Sequence, residues 1–351
     1  MRFPEFIQPG DVIGFPAPSF GCASEPYLSA FKEAQKVFSS MGYICRPGPN
    51  SDKECGIGIS NTPEKCAEEF MDMALDPSID ALISCGGGEL MCEILDGIDF
   101  KKLAEAPPKW LMGYSDNTNL LFLLATLADT AGIYGPCAAS FGMKPWHPAI
   151  TDAFDLLQGK KLDQKGYPLY ETESLKDEEH PLMPYNVTEK RQIRTFVPQN
   201  GSLVPVSAQA VSFEGRLIGG CLDCLVNLAG TTFDRVSDFN ARYKDDGLVW
   251  FLEACDLNVF SIRRAFWELK HAGWFENVKG FMIGRPLNGE EMFGLDHFKA
   301  VTDIIASFNV PVIMDLDIGH LPPMMPLIEG ASVKASYDAG KDEFELKQEL
   351  R

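Results

Sequence analysis

The sequence predicts an α/β protein, on three observations. Short apolar strands alternate with helical patterns through the first half of the chain. Those strands run into glycines or tight turns. The second half resumes with denser, shorter strands and fewer helices. Strands separated by single helices form a parallel sheet with helices on both faces, whereas the second half reads as α+β with a strand-rich core. At roughly 150 residues per domain, 351 residues suggest about two domains.

Residues 11–16 (DVIGFP) read as a strand entering the loop APSFG. Tyr27, Leu28, Phe31, Ala34, Val37 and Phe38 repeat at helical spacing within 26–41, and Gly42 stops them. Tyr43, Ile44 and Cys45 begin the next strand. Thr62 can cap and Pro63 can open a helix that runs to Leu75. IDALISC (79–85) is a buried strand, stopped by Gly86-Gly87-Gly88 and followed by a helix over 89–96. KWLM (109–112) leads into Gly113-Tyr114-Ser115-Asp116. An apolar helix over 119–127 follows, then a strand from Gly132-Ile133-Tyr134.

Beyond residue 150 the chain becomes polar and rich in turn formers (DQKGYP, LKDEEHPLMP, VTEKRQ). The expected organisation is a first domain over 1–165, a linker or extended loop over 166–200 and a second domain over 201–351. LVPVSA, GRLIGG, GLVWFLE, VKGFMIGRP and VPVIMDLD are the expected strands of the second domain, with helices near 221–229, 258–272 and 295–307.

Composition excludes several classes. No apolar run reaches the roughly 18 residues of a membrane span. Lys and Arg number 31 against 50 Asp and Glu, a net charge of −19. Such a charge repels phosphate backbones, and no basic run is longer than Lys190-Arg191, so no nucleic-acid polymer is expected as partner. The opening MRFPEFIQPGDVIGF lacks a signal-peptide pattern. Ten cysteines are too sparse for a disulfide scaffold, and the expected compartment is the cytoplasm. Cys221 and Cys224 form the single close pair, short of the four ligands a zinc site takes, so no metal is expected.

The most informative segment is WLMGYSDNTNLLFLLATL, 110–127. A serine on a sharp strand-to-helix turn projects from the strand end, beside the N–H groups of the helix's first turn. Ser115 is therefore a candidate nucleophile and the Asp116 N–H a candidate oxyanion donor. The spacing is not G-x-S-x-G, since Asn117 stands at the second glycine, and Ser115 or Asp116 could equally cap the helix. Gly86-Gly87-Gly88 lets the backbone approach a ligand, or makes a plain turn. It lacks the residues of a P-loop or dinucleotide motif. Of five histidines, His320 follows a strand end, where a parallel sheet presents catalytic groups. His147 and His180 lie in proline-flanked loops, His271 fits a helix end and His297 a helical pattern. Glu253, ending LVWFLE, can orient a histidine, with Asp315 and Asp317 as rivals.

In this order, the segments resemble the LD-carboxypeptidase family of serine peptidases, which includes the microcin C immunity peptidases. GDVIGFPAPS resembles the family's opening strand and loop, DPSIDALISCGGG its glycine turn and GYSDNTNLL its nucleophile turn. GRLIGGCLDCLVNLAGT resembles the start of its C-terminal domain and FLEACD the strand carrying its glutamate. HAGWFENVKGFMIGRP and IGHLPPMMPLIEGASV resemble the segments through its histidine. The resemblance implies a Rossmann-like N-terminal domain and a smaller strand-rich C-terminal domain. It implies a triad of Ser115, Glu253 and His320 with oxyanion donors at Gly87 and Asp116. It also implies a cytoplasmic homodimer that uses neither metal nor cofactor.

The charged stretch 165–200 departs from the short carboxypeptidase pattern and looks more like the immunity branch, whose substrates are peptidyl or aminoacyl nucleotides. Trp146, Tyr167, Tyr170, Tyr185 and Phe196 could stack on a nucleotide, or the stretch could be a solvated loop. The alternative substrate is a muropeptide, from which the enzyme would release a terminal D-alanine. A non-catalytic binding protein on the same fold is the alternative of another class. An amidotransferase-like enzyme would carry cysteine where this chain has Ser115.

Overall fold

Strands of three or four apolar residues, each followed by a turn and a helix, cannot pair as hairpins. They pair in parallel, because the helix carries the chain back along the sheet. A computed structural model describes residues 1–207 and 209–351. The chain divides into two units. The first comprises Met1–Lys161, Glu173–Asn186 and Pro326–Glu329. The second comprises Leu162–Thr172, Val187–Met325 and Gly330–Arg351.

In the first unit β1 (Val12–Phe15), β2 (Ile44–Pro47), β3 (Ala81–Ile83), β4 (Trp110–Gly113) and β5 (Gly132–Tyr134) pair in parallel, in the order β5-β4-β3-β1-β2. Leu327–Glu329 adds an antiparallel strand beside β5. The helices are α1 (Tyr27–Ser40), α2 (Pro63–Leu75), α3 (Phe100–Glu105), α4 (Thr118–Ala128) and α5 (Pro148–Leu157). Helix α4, TNLLFLLATLA, is apolar nearly all round and correspondingly buried. Phe15, Phe38, Trp110, Phe122 and Phe141 are among the fully buried side chains of this core.

Three local expectations change. Thr62 stands at the N-cap of α2 but its side chain makes no capping hydrogen bond, and Pro63 alone marks the start. The helix expected over 89–96 is a 3₁₀ helix, Met91–Gly97. Helix α5 lies partly inside the stretch that reads as polar beyond residue 150. Its periodic Ala149, Ile150, Ala153, Phe154, Leu156 and Leu157 are buried.

In the second unit β6 (Leu169–Tyr170) and β7 (Glu189–Lys190) make a small ribbon. An eight-stranded sheet contains β8 (Arg194–Gln199), β9 (Ser202–Val206), β10 (Ala210–Cys221), β11 (Leu248–Glu253), β12 (Val278–Gly284) and β13 (Val312–Leu316). With β14 given to the first unit (Leu327–Glu329), β15 (Ser332–Asp338) and β16 (Glu343–Glu349) complete it. The order is β16-β15-β10-β11-β12-β13-β8-β9. Strands β10 to β13 are parallel and the outer pairs antiparallel. Helices α6 (Leu222–Leu228), α7 (Val236–Arg242), α8 (Val259–His271) and α9 (His297–Ile305) connect them. Trp250, Trp274, Phe266 and Phe275 fill the interior. Residues 166–200, expected as a linker, hold three strands, and β8 is a full member of the sheet beside β13. The fold is thus α/β, with a parallel-strand first unit and a strand-rich second one.

Candidate active site

Strand β4 ends at Gly113, and Ser115 turns the chain sharply into the short 3₁₀ stretch Ser115–Asn117 that opens α4. Ser115 has φ +62, a left-handed conformation that non-glycine residues adopt at a cost of about 1–3 kcal/mol. Its backbone N–H donates to the Tyr134 hydroxyl at 3.2 Å. The glycine turn lies alongside. A Cβ on residue 87 would sit 3.1 Å from Ser115 Cβ and 3.2 Å from its Oγ, so glycine there lets the two backbones approach.

Asp116 follows the serine directly. Its N–H belongs to the first turn after the serine. Its side chain, 3% exposed, accepts from Ser19 Oγ at 2.5 Å, from the Met91 N–H at 2.9 Å and from Asn119 Nδ2 at 3.0 Å. These bonds tie the 17–20 loop and the 3₁₀ helix to the serine turn. Burial raises the Asp116 carboxyl above its ordinary range against those donors.

Glu253 ends β11, 1% exposed, and its Oε2 lies 2.9 Å from Nδ1 of His320, in the loop after β13. Gly319, at φ +105, makes the contact possible: a Cβ there would come 2.6 Å from Glu253 Oε2. Burial pulls the His320 pKa down, but the Glu253 carboxylate and the Cys255 thiol beside the ring outweigh it and push it up to about 11. The pairing with Glu253 thus favours the protonated form of His320.

Asp315 and Asp317 have other partners. Asp315 lies 2.9 Å from His297 Nε2, and Asp317 bonds Arg285 Nη2 at 2.6 Å and the Tyr167 N–H at 2.7 Å. His147 caps α5, and His180 pairs with Asp177 on the surface. Ser115, Gly87 and Asp116 thus lie together in the first unit, and Glu253 and His320 lie together in the second. Sequence reasoning marked Asn117 only as a departure from the elbow spacing and passed over Tyr134, Ser19 and Cys255, whose contacts reach up to 97 residues along the chain. Among the described residues, no group of three metal-ligating side chains is clustered and no helix is long and apolar enough to cross a membrane.

The sequence profile of the LD-carboxypeptidase N-terminal domain matches residues 13–135, and that of its C-terminal domain matches residues 214–335. The chain belongs to the LD-carboxypeptidase family. Family relatives span most of its length. The microcin C7 self-immunity protein MccF of Escherichia coli is 26% identical over 94% of this chain and 91% of its own. Solved structures of the same fold include an MccF-like protein of Bacillus anthracis, with a TM-score of 0.78, 21% identity and 99% and 100% coverage of the two chains. They also include MccF in complex with aspartyl sulfamoyl adenosine, with a TM-score of 0.77, 21% identity and 99% coverage of both chains. The family is one of peptidases, so amide-bond hydrolysis is the chemistry its fold carries.

Proposed function

We propose that the protein is a serine peptidase or amidase of the microcin C immunity type, acting on peptidyl or aminoacyl nucleotides. Ser115 is the nucleophile, His320 the general base and Glu253 its orienter. The Gly87 and Asp116 N–H groups are the oxyanion donors. The observation that carries the reading is Ser115 itself, held at φ +62 on a strand-to-helix turn with Gly87 against its side chain. A strained serine beside a glycine turn is the arrangement a nucleophile elbow requires. The Glu253–His320 hydrogen bond supports it.

Neutral His320 takes the Ser115 hydroxyl proton as the oxygen bonds to the amide carbonyl carbon. The carbonyl oxygen becomes an oxyanion, stabilised by the two backbone donors. The C–N bond breaks as His320 returns the proton to the leaving nitrogen. Water then adds to the ester, again giving its proton to His320, and the carboxylic acid leaves with Ser115 restored. Glu253 stabilises the imidazolium formed in each half. The reading includes a cytoplasmic homodimer needing neither metal nor cofactor. The substrate class follows from the family's MccF members, whose structures hold aspartyl sulfamoyl adenosine and glutamyl sulfamoyl guanosine. A muropeptide tetrapeptide is the second substrate, on the strength of the family's name.

The test is hydrolysis of aspartyl sulfamoyl adenosine and of the tetrapeptide by the purified full chain, followed by mass spectrometry. Turnover of the nucleoside compound is expected, with Ser115→Ala slower by about 10⁴-fold or more while melting at a similar temperature. Turnover of tetrapeptide alone removes the nucleotide assignment. Activity retained in Ser115→Ala removes the serine mechanism.

A further inference from the structure

Asn117 occupies the place where a nucleophile elbow carries its second glycine, and its side chain is completely buried. Its Nδ2 donates to two carbonyl oxygens, Gly86 O at 2.9 Å and Tyr114 O at 3.0 Å. Two acceptors facing one nitrogen fix which end of the amide is NH₂. The side chain fits because residue 113 is glycine: a Cβ there would lie 2.7 Å from Asn117 Cγ.

The two carbonyls are the significant ones. A trans peptide is planar, and its C=O and N–H point in opposite directions. Whatever grips Gly86 O therefore sets the direction of the Gly87 N–H, and whatever grips Tyr114 O sets the peptide that enters Ser115. Further bonds complete the clamp. Ser84 Oγ donates to Gly86 O at 3.1 Å. The Phe20 N–H donates to Gly87 O at 2.8 Å, which fixes the next peptide. On the serine side, the Ser115 N–H is held by Tyr134. One amide group thus couples the glycine turn to the nucleophile turn, 31 residues apart.

We propose that Asn117 is the positioning residue of the oxyanion hole, aiming the Gly87 N–H and holding it in register with Ser115. The inference rests on the serine-peptidase reading above. Asn117 touches no reacting atom. Its contribution is to pre-orient a donor that would otherwise reorganise as charge develops. The substitution Asn117→Asp keeps the shape but turns an oxygen toward two carbonyl oxygens, so it pushes the two turns apart.

The experiment compares the full-length wild type with Ser115→Ala, Asn117→Ala, Asn117→Asp and Ser84→Ala. Two readouts are used: kcat and KM on whichever of the two substrates the wild type turns over, and the rate at which a fluorophosphonate labels Ser115, followed by intact mass. The phosphonyl oxygen enters the same hole, so labelling reports the hole without the natural substrate. Asn117→Ala and Asn117→Asp are expected to lower kcat by about 10- to 100-fold, less than the 10²–10³ of a lost donor because the N–H remains but is misdirected. KM should stay within about threefold, labelling should slow in parallel, and the position of the pH profile should not move. Ser84→Ala, which removes one of the two grips on Gly86 O, should lower kcat by a smaller factor. It gives the reading if the Asn117 variants fail to accumulate, and an unchanged kcat then counts against the proposal. If both Asn117 variants keep kcat within twofold while Ser115→Ala is inactive, the positioning role is wrong and the serine mechanism stands. If Ser115→Ala is fully active, both fall.

Discussion

A histidine against a buried carboxylate holds its proton, and His320 holds it up to about 11, above an ordinary value of 6.5. Two consequences have definite signs. For stability, the folded state binds this proton more tightly than the unfolded state. The contribution is complete below about 6.5 and is lost as pH rises toward 11. For catalysis, the base must be neutral, so kcat/KM should climb from neutral into alkaline pH rather than level off near 7. Cys255, beside the ring, is one of the groups holding the value up. Cys255→Ala should move the rising limb of the pH profile to lower pH and raise kcat/KM near neutrality. Full pH–rate profiles of the two proteins check this. A limb that stays in place means that the thiol does not bear on the imidazole.

Elements set this site through the loops at the carboxyl ends of parallel strands. Two such loops, after β12 and after β13, are joined by Arg285 and Asp317. Their 2.6 Å ion pair is almost wholly buried, and Arg285 also donates to Asp315 O at 3.0 Å and stacks on Tyr170. The loop that Asp317 anchors carries His320 three residues on. Removing one member of a buried pair leaves an uncompensated charge, at a typical cost of about 3–5 kcal/mol. Arg285→Leu should lose about that much stability in denaturant unfolding, whereas Arg285→Leu with Asp317→Leu together should recover most of it. Equal losses in the single and double variants would mean that packing against Tyr170, not charge, holds the loops. None of this is legible in the sequence, although the strands are. Alternating apolar strands and helices exposed the parallel sheet of the first unit because that pattern is local. The return of Leu327–Glu329 to the first sheet leaves no local mark. The site divides in the same way. Ser115, Glu253 and His320 sit at strand ends that motifs can locate. That Glu253 rather than Asp315 or Asp317 meets His320 depends on a 67-residue separation that only the folded chain closes.

At the scale of the whole molecule, the net charge of −19 and the buried acids act in the same direction. Burial raises the carboxyls of Glu69, Asp116 and Asp317 above their ordinary values of 4.5, 3.8 and 3.8. Each binds its proton more tightly when folded, so each lowers stability as pH rises above the ordinary carboxylate range. His320 continues the decline between 6.5 and about 11. Glu33, Asp76 and Asp99, which are not fully buried, have the opposite sign: hydrogen bonds lower their pKa values, and their contribution is lost only when pH falls through those lowered values. The molecule should therefore be most stable in mildly acidic solution. Its melting temperature should fall steadily from about pH 6 to about pH 10 as negative charge accumulates. Salt separates the two causes. Repulsion among exposed charges is screened over about 10 Å at 0.1 M ionic strength, while buried groups are screened far less. Added salt should thus restore part of the melting temperature at alkaline pH and leave the remainder, which over this range belongs to His320. Scanning calorimetry over that range, at low and high salt, tests the division. Complete recovery with salt would assign the whole effect to surface charge, and a melting temperature that rises with pH would contradict both terms.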